Sequence, residues 1–197
     1  MNRDEVRARL RAACKTAQGR AGAGEGDESA HAGAGVPAAV LVGLMAHDDE
    51  PYIVLTERKA DLKVHPSEIS LPGGRVEPED EGPAAAALRE AQEEIGLPSD
   101  KVELLGCLPP YETVSGYCVY PMVGWIESPV SFVSQEREVA DVFEVPLSFV
   151  LDPRNRTRES ILYEGEHHWY YVLPYPGRRI WGATAGILVS LARALGC

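Results

Sequence analysis

From residue 36 to residue 46 the chain is almost continuously apolar, VPAAVLVGLMA, and a run of that length closed by a turn predicts a strand buried on both faces. The turn is Asp48-Asp49-Glu50-Pro51, and residues 52–56, YIVLT, predict a second strand rich in β-branched and aromatic side chains. Residues 102–108 and 117–126 predict further strands, separated by a Pro/Gly loop at 109–116. The segment after them carries Glu136, Glu138, Asp141 and Glu144 and turns apolar at Val139, Val142 and Val145, which reads as a charged loop edge. A short helix is expected at 146–151, then a hairpin of 160–163 with 169–173, with Gly165-Glu166-His167-His168 as its turn.

Elsewhere the apolar period lengthens to that of a helix. In 71–97, LPGGRVEPEDEGPAAAALREAQEEIGL, the residues Ala84, Ala87, Leu88, Ala91 and Ile95 form one stripe. Gly82-Pro83 marks the start, because proline fits a first-turn position whose N–H has no partner, and Gly96 marks the stop. Thr184, Ile187, Leu188, Leu191 and Leu195 predict a last amphipathic helix. At the other end Val6, Leu10, Ala13 and Ala17 allow one short amphipathic helix, and residues 19–35 have an Ala/Gly-rich linker composition. The expected division is therefore a flexible extension, 1–35, dispensable for catalysis, and one folded domain, 36–197.

With 197 residues, 45% of them hydrophobic, the chain can bury one sizeable core. No apolar run is long enough to cross a membrane. The net charge of −11 argues against a nucleic-acid partner, whose backbone it would repel. Cys14, Cys107, Cys118 and Cys197 show no CxxC pair or zinc-like spacing, so reduced thiols and a cytoplasmic location are expected.

The chemistry concentrates on the helix of 83–95. Glu90, Glu93 and Glu94 are three and four residues apart, so their carboxylates crowd and repel one another. Arg89 neutralises part of that charge, and a hard divalent cation with oxygen ligands would neutralise more. Gly73-Gly74 lets the backbone turn sharply enough to bring a carbonyl to the same ion. Arg58, Lys59 and Lys63 precede the glycine turn and read equally as surface cations or as phosphate contacts, whereas His65, a single histidine before Pro66, reads as a loop residue rather than a ligand. Tyr111 and Tyr117 either stack on a base or pack on the core. His167-His168 is no metal site, since adjacent side chains on a strand face opposite ways.

The double glycine, the helix-start proline and the order REAQEEIG together resemble the Nudix box, the signature of hydrolases that cleave a diphosphate linked to another moiety. Asp80 in place of a glutamate, and eight residues rather than seven before Arg89-Glu90, resemble the coenzyme A diphosphatase branch of that family. So do ALREAQEEIGL and the upstream stretch Val54-Leu55-Thr56-Glu57-Arg58 with Leu62, although Lys59, Lys63 and Ser67 depart from the branch pattern. The resemblance implies an α/β fold with a mixed β-sheet sandwiched between α-helices. It implies Mg²⁺ or Mn²⁺ held by Glu90, Glu93, Glu94 and the Gly74 carbonyl, with Arg89 orienting a glutamate. Glu138 matches the position of a downstream acid, and the general base is open between Glu90 and Glu138. Arg58, Lys63 and Arg75 are the expected substrate contacts, with Arg58 and Lys63 assigned to a 3′-phosphate. The implied reaction splits the diphosphate of coenzyme A or its thioesters, a small-molecule nucleotide substrate, and a homodimer is left open. Two alternatives are an activity on ADP-ribose, dinucleoside polyphosphates or oxidised nucleotides, and a non-catalytic Nudix-fold binding protein.

Overall fold

The computed structural model describes residues 1–18, 35–47, 50–62, 66–163 and 166–197. Lys63, His65, Gly165 and nearly all of the Ala/Gly-rich stretch lie outside them. The central strand is β1 (Val36–His47), and its alternation explains the continuous apolar run. Ala38, Val42 and Leu44 enter one core, while Ala39, Leu41 and Met45 enter a second core on the other face. A strand covered on both sides needs apolar residues at every position.

On one edge β1 pairs antiparallel with β2 (Glu50–Arg58), which pairs with β3 (Ile69–Ser70). The glycine turn forms β4 (Gly73–Arg75), antiparallel to β1 with Ala39 opposite Gly74. The helix α2 (Pro83–Ile95) follows, then β5 (Val102–Cys107), β6 (Tyr111–Glu112) and β7 (Tyr117–Ile126). β7 runs parallel to β1 and makes the sheet mixed, with β5 and β6 antiparallel to β7. The stretch read as a charged edge is a strand, β8 (Val139–Pro146), paired antiparallel with β2. Val139 and Val145 are buried, Ala140 and Asp141 are exposed and the residues between are half-buried, so the strand is only partly covered and its pairing is irregular at the Arg58 end.

After α3 (Leu147–Leu151) a second, three-stranded antiparallel sheet forms from β9 (Thr157–Tyr163), β10 (Glu166–Tyr175) and β11 (Arg178–Trp181). The hairpin is longer than the sequence suggested, and His167-His168 belong to β10 rather than to its turn. The chain closes with α4 (Gly182–Ala194), clipped to β3 by a hydrogen bond from the Thr184 hydroxyl to the Ile69 carbonyl at 3.0 Å. α2 covers one face of the mixed sheet; α3, α4 and the second sheet cover the other.

The N-terminal residues pack, in contrast to a wholly flexible extension. α1 (Arg3–Gln18) lies against β5 and α4, with Val6 and Leu10 fully buried. Arg7 and Arg3 pair with Glu103, and Arg9 donates to the Leu195 carbonyl. Two apolar side chains one turn apart suffice for docking because these polar contacts flank them. Among the described residues Cys107, Cys118 and Cys197 carry free thiols, and no helix is long and apolar enough to cross a membrane.

Candidate active site

α2 begins and ends where its sequence punctuation places it. Pro83 occupies the first helical turn, and Gly96 adopts φ 65°, so the chain turns left-handed and Leu97 N–H closes on the Ala91 carbonyl at 3.3 Å. The buried face is Ala86, Ala87, Ala91, Glu94 and Ile95, rotated from the expected stripe so that Ala84 and Leu88 are only half-buried. A carboxylate thus sits within the apolar face, where the sequence placed it beside that face. Glu94 lies three residues after Ala91 and seven after Ala87, so its helical position carried that signal.

The three glutamates are not equivalent. Glu94 is 7% exposed and accepts the Gly73 amide N–H at 3.1 Å. Burial pushes its carboxyl up to about 7; Glu90 and Glu138 add to the rise, and the Gly73 N–H and Arg58 oppose it. Glu90 is half-buried against the glycine turn, and burial raises its carboxyl too, opposed by Arg89. Glu93 points outward and meets only Arg89 at 3.3 Å among its described contacts.

Arg89 ties these groups together. Its Nε and Nη2 each donate to Asp80 at 3.0 Å, its Nη1 donates to Glu90 at 2.9 Å, and Nη2 also reaches the Arg75 carbonyl at 3.0 Å. The fork on Asp80 raises the guanidinium's already high pKa and lowers that of Asp80. Asp80 was read from the sequence only as a position in a pattern; its role as anchor of Arg89 needed the folded loop.

The other expected residues arrive by different routes. Arg58, at the end of β2, presses close enough to Glu94 to act on its charge, and its Nε is buried with no hydrogen-bond partner among the described residues. Glu138 is exposed, but its loop is pinned to the end of α2 by Gln135 N–H on the Glu94 carbonyl at 2.8 Å, and its carbonyl accepts the Lys59 N–H at 3.0 Å. Arg75 donates to the Tyr117 hydroxyl at 2.9 Å beside the glycine turn. Both Tyr111 and Tyr117 pack against the core while lining a cavity.

That cavity, about 840 Å³, opens directly onto the glycine turn. Gly73, Gly74, Arg58 and Arg75 line it, and so do Arg158, Ile161, Trp169 and Tyr170 of the second sheet and the first turn of α4. No local sequence signal announced this last wall of the cavity, because a separate sheet late in the chain supplies it. His167 and His168 also line it, and among the described residues no three His, Cys, Asp or Glu side chains cluster as metal ligands.

A mixed sheet between helices, with a glycine turn packed on a helix that carries glutamates, is the frame of the Nudix hydrolases, which act on phosphorus-containing anhydrides, and the sequence match places the chain among them. The NUDIX domain family matches residues 36–172, and the chain belongs to the Nudix hydrolases. It is 40% identical to the "Uncharacterized Nudix hydrolase NudL" of Enterobacter sp. (strain 638) over 81% of this chain and 82% of that protein. The protein of the same name from Escherichia coli (strain K12) is 38% identical over the same shares. In fold it is similar to a MutT/nudix family protein from Enterococcus faecalis, with a TM-score of 0.54 over 97% of this chain and 73% of that one at 14% identity. A second likeness is RenU, a Nudix hydrolase from M. smegmatis, with a TM-score of 0.50 over 64% and 81% at 22% identity. Nudix hydrolases act on nucleotide-like small molecules and generally use divalent metals such as Mg²⁺ or Mn²⁺.

The donor set fits such an ion. Glu90 and Glu94 offer hard oxygen ligands, and a carboxylate buried as deeply as Glu94 gains from a cation beside it. Two carboxylates are enough for Mg²⁺, which keeps several waters and takes its remaining ligands from substrate phosphates.

Proposed function

We propose that the protein is a divalent-metal-dependent diphosphatase acting on coenzyme A or its thioesters, giving 3′,5′-ADP and the 4′-phosphopantetheine part. The observation that carries this is the cavity, a basic and apolar chamber lined by Gly73 and Gly74 of the glycine turn that packs on the acidic helix. In a chain of net charge −11 its lining holds Arg58, Arg75 and Arg158 against Glu68 and Glu112, so it is locally suited to an anion. Its wall also includes Val114, Ile161 and Trp169, which are 74%, 55% and 55% exposed. Exposed apolar side chains bordering a pocket suit a substrate with a long uncharged arm. The branch-like stretches at 54–62 and 87–97 support the same substrate.

In this reading Glu90 and Glu94 hold the metal, with the Gly74 carbonyl and Glu93 nearby. The ion, when bound, offsets phosphate charge and makes a bound water more acidic. Asp80 and Arg89 fix Glu90, and the Gly73 N–H fixes Glu94, so neither carboxylate must be ordered during the reaction. Arg58 and Arg75 meet the diphosphate from the cavity side. Glu90 or Glu138 takes the proton from the attacking water. Residues 36–197 form the catalytic domain, and a cytoplasmic location suits a coenzyme substrate.

The test is a turnover panel of coenzyme A, an acyl-coenzyme A, ADP-ribose, a dinucleoside polyphosphate and an oxidised nucleotide, each with Mg²⁺, Mn²⁺ and chelator. Products are resolved by chromatography. Preferred turnover of the coenzyme A compounds, abolished by chelator, is expected. Preference for ADP-ribose would remove the substrate assignment and leave the Nudix chemistry.

A further inference from the structure

The two faces of the glycine turn carry different chemistry. Gly74 pairs with Ala39, which belongs to the core under α2, and a Cβ on Gly74 would meet the Glu90 carboxylate. Arg75 pairs with Ala38, which enters the other core and lines the cavity. Strand alternation thus puts the Glu90 carboxylate on one side of the turn and the Arg75 side chain on the other. The Arg75 carbonyl stays with the carboxylates, accepting from Arg89 Nη2 at 3.0 Å.

The same register brings Tyr117 to Arg75. Ala38 also pairs with Val119 of β7, and Tyr117 lies two residues before Val119, on the same face. Arg75 Nη2 donates to the Tyr117 hydroxyl at 2.9 Å, and its guanidinium lies 5.6 Å from the ring centroid. Tyr117 is itself held, since its N–H donates to the Thr113 hydroxyl at 3.0 Å and its carbonyl accepts the Thr113 N–H at 2.9 Å. A tyrosine hydroxyl can accept and donate at once. Here Arg75 takes the accepting side, and among the described residues the O–H proton meets no acceptor. Packing of the ring on the core does not use the hydroxyl. What completes the pair is a group that only accepts and carries negative charge, and a phosphate oxygen is such a group.

We propose that Tyr117 touches the substrate, its hydroxyl donating to a phosphate oxygen of the diphosphate beside Arg75, so that the two side chains form one oxyanion clamp on the cavity face of the glycine turn. This rests on the diphosphatase reading, and it holds for whichever diphosphate the enzyme prefers. Donation from Arg75 polarises the hydroxyl and strengthens its own O–H as a donor. The ring steadies the guanidinium by cation–π contact, so both donors are ordered before substrate arrives.

The experiment measures kcat and KM with Mg²⁺ for coenzyme A, 3′-dephospho-coenzyme A and ADP-ribose in wild type, Tyr117→Phe, Arg75→Gln and the double variant, with the Tm of each. Tyr117→Phe keeps the ring and removes the donor alone. One lost hydrogen bond to a charged group corresponds to about 10- to 100-fold in kcat/KM. That loss is expected in Tyr117→Phe on each of these compounds that wild type turns over, at nearly unchanged Tm. A smaller loss is expected when Tyr117→Phe is added to Arg75→Gln, because the hydroxyl meets substrate on its own account. Unchanged kcat/KM in Tyr117→Phe overturns the inference while wild-type turnover keeps the diphosphatase reading. A loss that vanishes in the Arg75→Gln background makes Tyr117 a positioning residue for Arg75 and overturns direct contact. A loss on coenzyme A with none on 3′-dephospho-coenzyme A puts the hydroxyl on the 3′-phosphate and overturns the diphosphate assignment. Wild type that hydrolyses none of the compounds overturns the inference and the reading together.

Discussion

Glu94 accepts the Gly73 amide N–H at 3.1 Å, which joins the acidic helix to the glycine turn through a buried carboxylate. That burial has a cost. A single N–H does not replace the water that Glu94 gives up, so its carboxyl is held at about 7 rather than in the usual range.

A group protonated more readily in the folded state stabilises the fold below its unfolded pKa and loses that contribution as pH rises through its folded value. For Glu94 the window runs from about 4.5 to about 7. Metal-free Glu94→Gln is therefore expected to be more stable than wild type at pH 8, by up to about 3 kcal/mol, with the difference shrinking toward pH 4.5. Denaturant unfolding of chelator-treated protein at the two pH values checks this. A Glu94→Gln protein less stable at pH 8 would contradict it. The same substitution should abolish turnover, and apparent metal affinity of wild type should rise with pH up to about 7, because the ion displaces the proton.

Gly74 is a glycine for a reason of space. A Cβ there would lie 2.5 Å from Glu90 Oε1 and 2.6 Å from its Cδ. Because the obstacle is the end of a flexible side chain, Gly74→Ala should fold with little loss of stability while displacing the carboxylate. Activity is expected to drop about 100-fold, the usual effect of an ångström-scale misplacement of a reacting group. Gly73→Ala would instead collide with the Ala39 carbonyl and the Val40 backbone, so it should fail to fold. Near-wild-type kcat in Gly74→Ala would argue against Glu90 as a ligand.

Arg89 is predicted to act through Glu90 and not on the substrate, since its donors are taken by Asp80, Glu90, Glu93 and the Arg75 carbonyl. Asp80→Asn and Arg89→Lys should each lower kcat or metal affinity about 10- to 100-fold, the range for groups that orient a ligand. Because both act on one carboxylate, the double substitution should cost little more than either alone. Fully additive losses would show independent roles.

How much of this was legible depended on whether the signal was local. Pro83 and Gly96 bounded α2 because proline and glycine act on their own backbone, and β1 announced itself through a run long enough to need two cores. β6 is two residues long and exists only by pairing with β7, so the loop reading of 109–116 missed it. β8 was obscured by its solvent-side charges. At the site, the glutamates were legible as a cluster, but which of them is buried depended on the sheet across the helix. Asp80 needed the loop that returns it to Arg89, nine residues away in sequence. The wall at Arg158 and Trp169 needed a sheet register that no local pattern fixes.

The N-terminal helix sets the last prediction, where composition and structure disagree. Its chain composition suggested an extension with no packing role, yet Leu10 is 1% exposed and its Cβ stands against Gly106 of β5. Fully burying a leucine is worth about 1.5–3 kcal/mol, and truncating one in a core costs about 2–5 kcal/mol. α1 touches β5 and α4, and none of its described residues lines the cavity. The expected outcome is therefore a split between stability and activity. Leu10→Ala should lower Tm by about 5–15 °C, and deletion of residues 1–18 by at least as much, while kcat at 25 °C stays within about twofold for the folded fraction. Thermal unfolding and turnover on the same preparations decide it. A Tm within about 2 °C of wild type would mean that α1 contributes nothing in solution, and a large loss of kcat in a well-folded truncation would connect α1 to the site by a route its contacts do not show.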